Sequence, residues 1–251
     1  MKIEAYAKIN LTLEVLGERV DGFHALRSLV APITLADTLT VQPADSIETD
    51  SGYGQDDLCC QAARALGVGA KFSIVKRIPA GGGLGGGSAD AAAALRALNE
   101  IYHLGHTIER LAEIGAQFGS DIPALVLAQH YRRGVMMEGR GEIVRLSDPL
   151  KQASLVLVNP KVHSSTAEVF AAFRHSTFPE PLNDLERPAI ALHPEIGQAL
   201  TMLRSLGAER AMMSGSGSTV FGFVRDAEAA RALAESIRAR GYDAWTASFL
   251  V

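Results

Sequence analysis

The chain is poor in cysteine, poor in aromatic residues and carries no surplus of positive charge. Its 251 residues include two Cys, one Trp and only 6% aromatics. Cys59 and Cys60 are neighbours. Adjacent cysteines rarely meet disulfide geometry, so reduced thiols, two small core residues on a helix and a cytoplasmic setting are expected. Lys and Arg number 24 against 28 Asp and Glu, a formal net charge of −4. No basic stripe gathers the cations, which argues against nucleic-acid binding as the main role. Apolar runs such as Ala124–Ala128 fall far short of a membrane span, and Met1–Lys8 holds no apolar run of signal-peptide length. The expectation is a soluble protein with neither a nucleic acid nor a membrane as partner. Apolar residues at 47% and charged ones at 21% suit a globular protein with a sizeable core.

Glycine is concentrated in one place. Pro79-Ala80-Gly81-Gly82-Gly83-Leu84-Gly85-Gly86-Gly87-Ser88-Ala89 has six glycines in seven positions and runs directly into Asp90–Asn99, a stretch of strong helix formers. A loop almost without side chains can bring backbone N–H groups against a phosphate, and the helix behind it adds the positive end of its dipole. Ser88 is the expected N-cap of a helix over roughly 88–102. A flexible linker is the alternative, but the run has no spacer between a strand-like segment, 71–78, and the helix. No Lys follows the last glycine, which excludes a Walker A loop. Gly81, Gly83 and Gly86 satisfy G-x-G-x-x-G, yet so dense a run matches almost automatically, and Glu100 continues the helix instead of ending a second strand. The loop is a phosphate cradle of a third kind.

Residues 3–15 alternate between apolar and polar, the signature of a half-buried strand. Extended segments follow over 24–33, 38–42 and 71–78, helices over 56–66, 107–118 and 121–128, and a hairpin over 132–146. Asp148-Pro149 is the expected boundary between domains 1–148 and 149–251. Beyond it come a strand at 154–158, a helix over 165–173, a loop over His175–Pro188, a helix near 195–205, strands at 209–213, 219–224 and 244–250, and an amphipathic helix over 227–240. Helices and strands segregate, which favours an α+β architecture in two domains.

Four groups of residues carry candidate chemistry. Lys8 and Asn10 share the polar side of the first strand; a solvated face is the plain reading, a cleft wall the functional one. Asp121, in Gly119-Ser120-Asp121-Ile122-Pro123, has the pattern of a helix N-cap, and also of a carboxylate able to take a proton from an alcohol. Asp21-Gly22-Phe23-His24 could hold a flat heterocycle, or be a core ring and a surface imidazole. Ser214-Gly215-Ser216-Gly217-Ser218-Thr219 is a turn that lets another backbone approach closely.

Two of these, Ala7-Lys8-Ile9-Asn10-Leu11 and the late Gly-Ser turn, together with the 79–89 loop, stand in the order of the three signature motifs of the galactokinase, homoserine kinase, mevalonate kinase and phosphomevalonate kinase superfamily, which the chain resembles. Arg19–His24 and Gly119–Pro123 resemble the branch acting on a cytidine diphosphate-linked methylerythritol in the non-mevalonate isoprenoid pathway. Val20 stands where that branch usually has Pro, and Phe23 where it usually has Tyr. The resemblance implies an N-terminal ribosomal-protein-S5-like domain, a C-terminal ferredoxin-like α+β domain, ATP along the glycine loop, and Mg²⁺ held by phosphates near Ser88 without a dedicated carboxylate. It implies that Asp121 takes the acceptor's proton with Lys8 beside it. It also implies that Phe23 and Phe170 sandwich cytosine, His24 bonds its edge, and Asn10 and Thr166 hold the substrate. A homoserine or mevalonate-type acceptor, or a regulator that binds nucleotide without catalysis, are the rival readings.

Overall fold

Alternation at the start of the chain builds one long strand, β1 (Lys2–Glu18), paired antiparallel with a longer one, β2 (His24–Pro43). The computed structural model describes residues 1–20, 22–174 and 182–251; Asp21 and most of the expected 175–188 loop lie outside them. The segments expected separately at 24–33 and 38–42 are one strand. Register shifts between Tyr6 and Lys8 and between Asn10 and Thr12 bend the pair and let it continue. Around β2 gather β3 (Ile47–Thr49), β4 (Ala70–Val75), β5 (Val135–Gly139) and β6 (Ile143–Leu146), a six-stranded sheet in the order β3-β4-β2-β5-β6 with β1 along β2.

Helices α1 (Leu58–Leu66), α2 (Gly86–Ile101), α3 (Ile108–Gly115) and α4 (Ile122–Tyr131) cover this sheet. Helix α2 presents Ala89, Ala91, Ala92, Ala93, Ala94 and Ala97, all at most 1% exposed, to its neighbours. Such small residues let α1, α4 and β1 pack close, and larger replacements would overpack this core by roughly 1–3 kcal/mol each. Residues 122–129 of α4 are buried all round, as expected of a helix without a polar face.

Helix α2 starts two residues before the expected position. Its N-cap is Gly85, left-handed at φ 69, and Ser88 lies inside the first turn. Glycine reaches that conformation without strain, so the helix can begin as soon as the loop has turned.

A second, four-stranded antiparallel sheet follows, built from β7 (Ser154–Asn159), β8 (Arg210–Met213), β9 (Val220–Val224) and β10 (Asp243–Ser248) in the order β10-β7-β9-β8. Taken as first to fourth, the strands stand 4-1-3-2, the ferredoxin-like order. Between and around them run α5 (Thr166–Ala172), α6 (Glu186–Leu192), α7 (Pro194–Ser205) and α8 (Ala227–Arg238). The first turn of α6, Glu186–Pro188, falls in the expected loop; Pro188 is tolerated there, where no intrahelical N–H is needed. The sheets share apolar packing: Leu155, Leu157, Phe221 and Phe249 join the core under β1 and α2.

Candidate active site

Lys8 and Asp121 come from opposite halves of the first sheet's packing and meet. Lys8 is on β1 and 3% exposed; Asp121 precedes α4. Lys8 Nζ is 3.4 Å from Asp121 Oδ2 and donates to Asn10 Oδ1 at 2.8 Å. Asp121 does not cap α4: its backbone is helical, at φ −84 and ψ −15, and its side chain makes no capping bond. With the carboxylate turned to Lys8, the capping alternative falls, although Pro123 does begin the helix as the sequence pattern suggests.

Asn10 is fixed from every side. Its Nδ2 donates to Ser28 Oγ at 2.7 Å, and Ser28 Oγ donates to the Thr12 carbonyl at 2.6 Å. Its backbone N–H donates to Ser214 Oγ at 3.3 Å. A buried cation costs several kcal/mol unless its partners are in place, and here two oxygens are held ready. The Lys8–Asn10–Asp121 group is a cleft wall and not a solvated strand face.

The glycine loop lies against this group and against the second Gly-Ser turn. Lys8 N donates to the Leu84 carbonyl at 3.1 Å, Thr219 N to the Gly82 carbonyl at 3.2 Å, and Ser214 Oγ to the Gly83 carbonyl at 3.0 Å. A Cβ on Gly82 would lie 2.5 Å from Thr219 Oγ1, and one on Gly83 2.2 Å from the Ser214 carbonyl oxygen. Two glycines therefore serve the contact between loop and turn, where ligand approach alone was expected. Leu84 and Ala89 are buried and face the core. Gly81, Gly83 and Ser88 line the cavity, and the first-turn N–H groups of Gly86, Gly87 and Ser88 have no intrahelical acceptor.

The cavity in front of these residues has a volume of about 910 Å³. Lys8, Asn10, Phe23, His24, Asp121, Thr166 and Phe170 all line it. The two rings that stack are His24 and Phe170, with centroids 5.0 Å apart and planes at 26°. Phe23 lies instead under the Arg140 guanidinium, whose Cζ is 4.6 Å from the ring centroid. Phe23 and Phe170, the two rings expected to sandwich cytosine, line the same cavity. Thr166 Oγ1 is 2.8 Å from Ser216 Oγ, which joins α5 to the Gly-Ser turn.

Several residues of this site escaped sequence reasoning. Asn183 is fully buried; its Nδ2 donates to the carbonyls of Met213 (2.9 Å) and Gly215 (2.7 Å), holding the Gly-Ser turn. Its Oδ1 accepts the Leu185 N–H at 3.0 Å, an Asx turn legible in principle from Asn183-Asp184. Glu186 accepts the Met213 N–H at 2.9 Å, and burial pushes its carboxyl above the ordinary range. His163 stands beside the loop, its Nδ1 3.2 Å from the point a Cβ on Gly81 would occupy. Among the described residues no group of three His, Cys, Asp or Glu side chains could hold a metal ion, and no helix is long and apolar enough to cross a membrane.

Residues 57–129 match the family described as GHMP kinases N terminal domain, and residues 166–243 the family described as GHMP kinases C terminal. The chain is 37% identical to the 4-diphosphocytidyl-2-C-methyl-D-erythritol kinase of Citrifermentans bemidjiense, over 96% of each chain. It is 39% identical to the enzyme of that name from Paracoccus denitrificans, over 97% of this chain and 94% of the other. Among solved structures, a 4-(cytidine 5'-diphospho)-2C-methyl-D-erythritol kinase superposes with a TM-score of 0.87 at 34% identity, covering all of both chains. The Methanococcus jannaschii mevalonate kinase shares the fold, with a TM-score of 0.74 at 14% identity over 100% of this chain and 98% of that one.

Proposed function

Because this chain belongs to the GHMP kinase family, we propose that it transfers the γ-phosphoryl group of ATP to the 2-hydroxyl of 4-diphosphocytidyl-2-C-methyl-D-erythritol, with Asp121 as base and Lys8 beside it. That it is an ATP-dependent small-molecule kinase of isoprenoid-precursor synthesis follows from its relatives. Acceptor, residue roles and metal are the proposal. The observation that carries it is the 3.4 Å approach of Lys8 to Asp121 in a cavity that also holds the glycine loop and an aromatic pair.

In this reading residues 1–148 form the ATP-binding domain and residues 149–251 the C-terminal domain. The N–H groups of Gly86, Gly87 and Ser88, at the positive end of α2, face the ATP phosphates. Asp121 takes the hydroxyl proton as the oxygen bonds to the γ-phosphorus, and the bond to the β,γ-bridging oxygen breaks to release ADP. Lys8, fixed by Asn10, offsets negative charge on the attacking oxygen. Phosphoryl transfer has a loose transition state, so this positioning and charge carry most of the catalysis.

The residues present fit Mg²⁺ carried by ATP. Mg²⁺ needs few protein ligands when phosphates and waters fill its shell, and Ser88, in the first turn of α2, offers a hydroxyl at the cavity wall. When bound, the ion supplies charge neutralisation at the phosphates.

The cytosine end of the acceptor would be read by His24, Phe170 and Phe23, with Asn10 and Thr166 nearer the reacting centre. ADP release measured with the cytidine diphosphate-linked acceptor, mevalonate and homoserine tests the reading. It predicts turnover with the first alone; turnover with either of the others contradicts it.

A further inference from the structure

Behind the glycine loop lies a charge cluster, two buried carboxylates on a half-exposed lysine, that phosphoryl transfer does not use. Asp37, in the middle of β2, is fully buried. Its Oδ1 accepts the backbone N–H groups of Arg77 and Ile78, and its Oδ2 accepts Lys76 Nζ. Lys76 Nζ also donates to Asp90 Oδ2, on α2, at 2.7 Å. One sheet residue therefore grips the segment that enters the loop, and the shared lysine ties that segment to the helix that leaves it. Lys76 Nζ is 3.5 Å from the point a Cβ on Gly86, the first residue of α2, would occupy. Two carboxylates share a single ammonium, and Asp90 Oδ1 is buried without a hydrogen-bond partner among the described residues.

We propose that Asp37, Lys76 and Asp90 are positioning residues that fix the separation between the entry and exit of the glycine loop, and so the aim of the Gly86, Gly87 and Ser88 N–H groups. The proposal rests on the kinase reading, which makes a nucleotide the loop's ligand. None of the three lines the cavity that holds Lys8, Asp121 and the aromatic pair. Their effect falls on nucleotide affinity, and leaves acceptor affinity and saturated turnover alone.

The tie is sensitive to protonation. The titratable groups facing Asp90 are Lys76, Asp37 and the Cys59 thiol of α1. Burial, with Asp57 and Asp90 nearby, lifts the Cys59 thiol well above its ordinary value and keeps it neutral. Burial pushes the Asp90 carboxyl up to about 7, against the pull of Lys76. Burial alone would lower the Lys76 ammonium, but Asp90 and Asp37 outweigh it and raise it. As pH falls through about 7, Asp90 gains a proton and the ionic tie between α2 and Lys76 is lost, while Lys76 stays on Asp37.

Asp90→Asn reproduces the neutral carboxyl in nearly the same shape. The test compares KM for ATP in variant and wild type at each pH, so that pH effects common to both proteins, titration of ATP included, cancel. The expected ratio is about fivefold at roughly pH 8 and about one at roughly pH 6, with kcat and acceptor KM within about twofold. A ratio that does not change with pH, or an effect confined to kcat or to acceptor KM, overturns the proposal. Lys76→Gln serves if the Asn variant does not fold. Calorimetric titration should then show ADP binding weakened about tenfold while CDP binding is unchanged. Equal weakening of both ligands, or none for ADP, overturns the proposal. Because ADP titration needs no acceptor, it reads the loop even if every acceptor fails, an outcome that would count against the kinase reading alone.

Discussion

Lys8 Nζ lies 3.4 Å from Asp121 Oδ2 although the two residues are 113 positions apart, one on β1 and the other at the head of α4. The lysine is buried while the carboxylate is about one-third exposed to the cavity. A cation fixed by Asn10 beside a carboxylate that can reach a ligand is a division of labour: one holds charge, the other moves a proton. Lys8→Met keeps volume but leaves the buried Asn10 Oδ1 without its donor, so melting temperature should fall modestly. Turnover should fall by about 10²–10³-fold through loss of a fixed cation at the reacting oxygen. Thermal melts and steady-state assays on one preparation check both.

His24 and Phe170 form the flat surface of the pocket. Stacking of a base on such a ring is worth roughly 1–3 kcal/mol, so Phe170→Ala should raise acceptor KM about tenfold or more. KM for ATP should stay within about twofold, and Phe170→Tyr, which keeps the ring face, should remain near wild type. Initial rates with each substrate varied in turn separate these outcomes.

The glycines of the loop are not equivalent. Gly83 has φ 74, and an added Cβ would meet the Ser214 carbonyl oxygen at 2.2 Å. Gly83→Ala should destabilise the fold by about 2–3 kcal/mol. At Gly87 the nearest atom to an added Cβ is Leu58 Cδ1 at 3.5 Å, an ordinary contact. Gly87→Ala, inside a helix, should stabilise by about 0.5–1 kcal/mol while its methyl crowds the approach to the α2 N–H groups and raises KM for ATP. Urea unfolding and ATP kinetics should move in opposite senses for this variant.

Glu186 links pH to stability. Burial raises its folded-state pKa, against the Met213 N–H and Arg204. The folded state then binds more protons than the unfolded one, so this group's contribution falls as pH rises from the usual carboxylate range through the raised value. Relative to wild type, Glu186→Gln, which can still accept from Met213 N, should gain stability over that window. Unfolding free energies at several pH values check the slope; parallel curves for both proteins would contradict it.

Much of the fold is legible in the sequence because its signals are local. Thr107 and Ser165 cap α3 and α5 through their side chains, and Gly67 ends α1 in the left-handed conformation, each as residue type alone suggests. What stays hidden depends on distant partners. Asp121 has the pattern of a cap, yet Lys8 draws its carboxylate away. Gly82 and Gly83 look like bare phosphate contacts, yet Thr219 and Ser214 press against them. Asn183 and Glu186 sit in a Pro-rich stretch that reads as loop, and their roles exist only because β8 and the Gly-Ser turn fold onto them.

The account turns on Asp121 as the group that takes the acceptor's proton. Asp121→Asn keeps the shape and a partner for Lys8 but removes the base. Single-turnover transfer from ATP to the cytidine diphosphate-linked acceptor should slow by about 10²–10⁴-fold, while calorimetric affinities for ADP and CDP stay within about threefold of wild type. Transfer at close to the wild-type rate in this variant would contradict the account.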